Sequence, residues 1–192
     1  MTARIILICH GSTEAVRAAK FPTDEPLDEL GLKNIKALAN GLPKAGRCWT
    51  SPERRTRQTA LALGLNAQIE PVLGDCDYGA WAGRTFDEVC AHEPDAASAW
   101  LRDPTATPHG GESIAAVIRR VGQWLADEQA WRQRTIVVTH PTIIRAAIVH
   151  AIEAAPQSFW RIDIAPLSVT RLSSLGGRWN LSAAGCSATQ HF

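Results

Sequence analysis

Two short apolar runs frame the chain, Ile5-Ile6-Leu7-Ile8 near its start and Ile136-Val137-Val138 far downstream. Continuous β-branched runs without a polar face predict strands buried on both sides, as in a parallel sheet covered by helices. Each run ends at a histidine, His10 and His140. Cys48-Trp49-Thr50 predicts a further strand, leading through Ser51-Pro52 into a helix over residues 54–63. Leu32, Ile35, Leu38, Ala39 and Leu42 recur at helical spacing, with Asp28 placed to cap and Pro43 to close. Ile114, Val117, Ile118, Val121 and Leu125 mark a helix over residues 112–127, and another is expected over about 141–154. Residues 167–172 and 178–181 alternate in polarity around Gly176-Gly177, a hairpin signature.

Residues 71–108 differ in texture, because Gly74, Gly79, Gly83, Pro94, Pro104 and Pro108 break them into turns and short helices. They are expected to form a lid. The whole order predicts one domain over residues 1–192, a three-layer α/β/α sandwich with a mostly parallel sheet and a small helical lid. Such sheets bind ligands at the C-terminal ends of their strands, the edge at which both histidines are expected.

Twenty Lys and Arg balance nineteen Asp and Glu, for a formal charge of +1, which argues against nucleic acid or an anionic membrane as partner. The five cysteines are scattered and form no Cys-x-x-Cys pair, which fits reduced thiols. With no signal-peptide core or membrane-length apolar stretch, the expectation is a cytoplasmic protein. Residues 51–60, Ser-Pro-Glu-Arg-Arg-Thr-Arg-Gln-Thr-Ala, form a basic turn into a helix start, where amides and guanidinium groups favour an anion such as phosphate. A neutral imidazole can attack phosphorus, cations can offset the charge on the transferred group, and a donor must protonate the leaving oxygen.

His10-Gly11, Ser51 to Ala60, Asp75 to Gly83, Gly111-Glu112-Ser113 and Val138-Thr139-His140 together resemble the ordered motifs of the histidine phosphatases and cofactor-dependent phosphoglycerate mutases. The resemblance implies His10 as the phosphorylated nucleophile, Arg55 as a phosphate ligand and His140 as a second ligand that orients the phosphate oxygens. Asp75 stands where the family carries a glutamate acid, which makes it the expected general acid, with Asp77 as the fallback. Gly11, Ser51 and Glu112 lie in the same motifs and are expected at the phosphate. The implied reaction is hydrolysis of a small-molecule phosphomonoester without metal or cofactor. The short lid favours hydrolysis over the mutase reaction, and the sequence leaves monomer or homodimer open.

One departure stands out: the family's first motif is Arg-His-Gly, and here Cys9 replaces the arginine. An uncompensated loss of that grip would cost on the order of 10²- to 10⁴-fold in rate. Arg17, Lys20 or Arg54 could substitute. Cys9 itself reads either as a packed residue or as a reactive thiol. Other readings stay open: a degenerate phosphate-binding protein of the same fold, or a metal hydrolase using Cys9, His10 and His140. Glu112 also suits the first turn of a helix, where its charge complements the dipole. His109 is a candidate for substrate contact, and Asp77, Tyr78, Trp81 and Arg84 in the lid point to an aromatic or hydroxylated leaving group.

Overall fold

In the computed structural model, which describes residues 2–39, 41–127, 131 and 133–186, six strands form one sheet in the order β3-β2-β4-β1-β5-β6. The strands are β1 (Thr2–Cys9), β2 (Arg47–Thr50), β3 (Gln68–Ile69), β4 (Thr135–Thr139), β5 (Val169–Leu175) and β6 (Arg178–Cys186). The first four in that order run parallel, and β5 and β6 add an antiparallel hairpin beside β1. Gly176 and Gly177 form its two-residue turn with φ of 59° and 79°, the left-handed pair that matches the twist of a tight hairpin.

Side chains of β1 alternate between two cores. Ile5, Leu7 and Cys9 pack toward α6 (Ile114–Leu125) and α7 (Pro141–Ala151), whereas Ile6 and Ile8 face α2 (Glu29–Ala39) and α3 (Arg54–Ala62). This two-sided burial is the physical reason the run carries no polar face. Asp28 caps α2 as its spacing implied, its Oδ1 accepting from the Gly31 amide at 2.7 Å.

The lid segment contains two 3-10 turns, Pro71–Leu73 and Gly79–Trp81, followed by α4 (Phe86–His92) and α5 (Pro94–Arg102). Its loop is held by backbone contact: Glu112 N donates to Asp77 O at 2.8 Å and Ala80 N to His109 O at 2.9 Å. A Cβ at Gly79 would stand 2.1 Å from His109 O, and one at Gly111 2.1 Å from Asp77 O, so neither position admits a side chain. Three elements escaped the sequence pattern, one of them the 3-10 turn Pro156–Arg161. The helix α1 (Glu14–Arg17) is a single turn inside the first polar loop, and β3 is two exposed residues at the sheet edge. Among the described residues no helix is long and apolar enough to cross a membrane.

Candidate active site

β1 and β4 are neighbouring parallel strands with Cys9 paired to Thr139, so the residues that follow them emerge side by side. His10 N donates to Thr139 O at 3.0 Å, and the rings of His10 and His140 meet edge-on with centroids 5.3 Å apart. Both are buried, at 2% and 0% exposure. His10 Nδ1 lies 2.7 Å from Gly11 O, an acceptor only, so Nδ1 carries the hydrogen and the Nε2 lone pair is left for chemistry. Burial first, then the charges of His140 and Arg55, push the imidazole down to about 3. It is therefore a neutral nucleophile at ordinary pH.

That displacement predicts a pH dependence of stability. An unfolded His10 takes a proton near 6.5 and the folded one only near 3, so between these values the unfolded state binds more protons. The contribution is fully present above 6.5 and is lost as pH falls toward 3. Melting temperature is expected to drop less steeply from pH 7 to pH 4 in His10→Asn than in the wild type.

α3 brings Arg55, 1% exposed, against the histidines. Its guanidinium donates to Asp75 Oδ2 at 2.7 Å and to Thr23 O at 2.6 Å, and stands 3.8 Å from Glu25. Burial alone would raise the Asp75 carboxyl, but the charges of His140 and Arg55 and the amide of Cys76 outweigh it and hold Asp75 below the ordinary carboxylate range. Asp75 is therefore an anion at neutral pH.

Glu53, at the N-cap position of α3, makes no side-chain cap bond. Its Oε2 sits 2.7 Å from His140 Nε2, and its Oε1 accepts from Asp75 N at 2.9 Å. His140 Nδ1 then stands 3.4 Å from Asp75 Oδ2. The sequence reading passed over Glu53 because its motif was read for cations. Glu53→Gln would put a donor opposite Nε2 in place of an acceptor. Its kcat is expected to fall about 10- to 100-fold, the equivalent of one charge-assisted hydrogen bond of about 1.5–3 kcal/mol, with a small change in melting temperature. Steady-state kinetics beside a thermal melt checks this.

A cavity of about 470 Å³ opens from this cluster. His10, Arg55 and Asp75 line its inner end, and Lys20 and Arg145 also lie on its wall. Of the cations considered as substitutes at position 9, only Lys20 reaches the cavity. Arg17 pairs with Asp28 at 2.9 Å, and Arg54 is exposed. Arg145, on α7, was not anticipated, although it lies five residues beyond His140 on a helix that starts at the sheet edge.

Four expected phosphate contacts are absent from the cavity wall, the first being His140, fully buried with Nε2 against Glu53. Ser51 is fully buried, with its hydroxyl between Leu73 O at 2.6 Å and Thr139 Oγ1 at 2.8 Å, where it ties β2 to β4. Gly11 meets α3 instead, its N donating to Thr59 Oγ1 at 3.0 Å. Glu112 pairs with Arg120 at 2.8 Å, and that guanidinium also takes the carbonyls of Val72, Gly74 and Asp75. Glu112 thus supports the Asp75 loop from behind. The start of α3 does attract an anion, but it is the Asp24 carboxylate, which accepts from Arg54 N at 2.7 Å.

Other candidates also lie off the wall. Asp77 is exposed and caps Gly79 N, and His109 is 3% exposed and accepts from Gly111 N. Trp81 and Arg84 both donate to Glu93. Cys9 is fully buried, its thiol pushed up to about 12 by burial above all and then by the charge of Asp75, so it is neither a thiolate nor a cation. Among the described residues no group of three or more His, Cys, Asp or Glu is arranged to hold a metal ion.

Comparison with known proteins shows the family. The family model of the histidine phosphatase superfamily (branch 1) matches residues 5–187. The chain belongs to that superfamily. A bifunctional protein of Mycobacterium tuberculosis is 31% identical over 193 residues, 90% of this chain and 51% of the relative, so the chain spans about half the length of that protein. Phosphoserine phosphatase 1 of Hydrogenobacter thermophilus is 29% identical over 82% of this chain and 80% of its own. The solved mycobacterial glucosyl-3-phosphoglycerate phosphatase superposes with a TM-score of 0.84 at 27% identity, covering 97% of this chain and all of that one.

Proposed function

We propose that this histidine phosphatase superfamily member hydrolyses small phosphomonoesters through a phosphohistidine on Nε2 of His10. What carries the reading is the state of His10: buried, neutral, with Nδ1–H committed to Gly11 O and the ring on a cavity wall beside Arg55. Nε2 attacks phosphorus as the bond to the leaving oxygen breaks. Arg55 and His140 hold the equatorial oxygens, and the new N–P bond is then cleaved by water to release phosphate and restore the imidazole.

Asp75 would protonate the leaving oxygen, although without substrate it is ionised. An arriving phosphate dianion competes for Arg55 and adds negative charge beside Asp75, and both effects raise its carboxyl toward the protonated form. The test is leaving-group dependence. Asp75→Asn is expected to lose about 10²-fold or more on an alkyl phosphate, whose alkoxide needs a proton, and far less on 4-nitrophenyl phosphate. Equal losses would remove Asp75 from the acid role, and a wild type that turns over neither compound and traps no acid-labile phosphoprotein would remove the hydrolytic reading.

A second reading, a phosphate binder with a weakened site, is favoured by the uncharged, buried Cys9. Its signature is an inactive wild type in which Cys9→Arg restores turnover.

A further inference from the structure

We infer that the cavity beyond the phosphoryl end accepts a leaving group built on a planar aromatic ring system, in preference to a polyol or an amino acid. This rests on the hydrolytic reading of His10. The wall outward from His10 and Arg55 is aromatic and assembled from separate parts of the chain: Phe21 from the first loop, Tyr78, Phe86 and Trp100 from the lid, and Trp160 from the turn Pro156–Arg161. These rings form one continuous surface, with centroids 4.1 Å apart for Trp100 and Trp160, 5.6 Å for Phe21 and Trp100, and 6.2 Å for Phe86 and Trp100. Phe86 and Trp160 keep part of their surface open, so apolar ring area faces a space much larger than a phosphoryl group.

The polar groups of the wall narrow the choice. Glu25 already accepts from Thr13 Oγ1, Thr23 N and Thr23 Oγ1. Asp75 is held by Arg55 and by Cys76 N, and the hydroxyls of Tyr78 and Thr142 bond each other at 2.9 Å. Arg145 donates Nε to Ile162 O and lies over the Phe159 ring at 5.7 Å, while its NH2 stands 4.0 Å from the exposed Asp163. The wall therefore offers ring faces and cationic donors, while its carboxylates already hold donors of the protein and its two hydroxyls are paired with each other. Several sugar hydroxyls or a serine ammonium would leave water for fewer acceptors than they have donors there, and buried unpaired donors are costly. A flat ring loses nothing of that kind.

The experiment compares kcat/KM for 2-(1-naphthyl)ethyl phosphate, ethyl phosphate, glucose 6-phosphate and phosphoserine, which all release a primary alkoxide, so chemical reactivity differs little among them. The naphthyl compound is expected to exceed the other three by at least about 10-fold, and Phe86→Ala and Trp160→Ala, on separate elements, each to cut the naphthyl-to-ethyl ratio by about 10-fold. Equal values in the wild type, a preference for glucose 6-phosphate or phosphoserine, or an unchanged ratio in both variants would overturn the inference. If none of the four turns over, 4-nitrophenyl phosphate and phosphoprotein trapping decide the hydrolytic reading by themselves. The ring preference is then decided by the Kd values of the same compounds in calorimetry, where tighter binding of the naphthyl compound supports it and equal affinities overturn it.

Discussion

His10→Ala is expected to lower turnover of 4-nitrophenyl phosphate by at least about 10³-fold and to abolish the acid-labile phosphoprotein trapped from the wild type. The step has no substitute nucleophile among the groups beside His10, neither of which lines the cavity. Cys9 is a buried protonated thiol, and His140 is engaged at Nε2 by Glu53. The fold should survive, because His10 makes one local side-chain hydrogen bond and follows a strand whose pairing is entirely backbone. A melting temperature within several degrees of the wild type, together with a dead enzyme, is the expected pair of results. Retained turnover would place the nucleophile elsewhere.

Arg55→Ala should damage both chemistry and stability. Removing a guanidinium from the transferred group is expected to cost about 10²- to 10³-fold in kcat. Asp75 would also lose its cation while 10% exposed, and breaking a buried pair on one side costs about 3–5 kcal/mol. The pH dependence separates this from a general packing defect. In the wild type the depressed carboxyl of Asp75 contributes stability that is present above its ordinary value of 3.8 and lost as pH falls through its lower folded value. The variant keeps the parts due to His140 and the Cys76 amide and loses the part due to Arg55, so denaturant titrations should show the gap between the two proteins narrowing as pH drops below 4. A gap constant with pH would mean that Arg55 serves packing alone. Arg55→Lys keeps the charge and loses the fork, and it should recover stability more fully than activity.

Much of the site was legible because it depends on local pattern. The runs before His10 and His140 could be buried on both faces only as central parallel strands, and adjacent parallel strands deliver their following residues to one edge. Residues that sit beside the motifs were harder to place. Ser51 and Glu112 belong to the right segments but turn away from the cavity, since one residue of register or a third of a helical turn decides which way a side chain points. Glu53 was hidden by its neighbours' charge, and Trp160 by its distance along the chain from the lid it packs against.

The sequence by itself determined the sheet's central strands and the histidines at their ends, because strand burial and helix spacing are properties of consecutive residues; Arg55 and the acid at position 75 were singled out by the family resemblance of their motifs. Tertiary structure alone decided the working state of those groups. His10 is neutral and Cys9 inert because they are desolvated, and Asp75 is ionised because Arg55 and His140 stand beside it. The aromatic wall exists because residues from three separate regions meet across the cavity. Desolvation and Coulomb energies depend on distances between groups far apart in the chain, and only packing sets those distances.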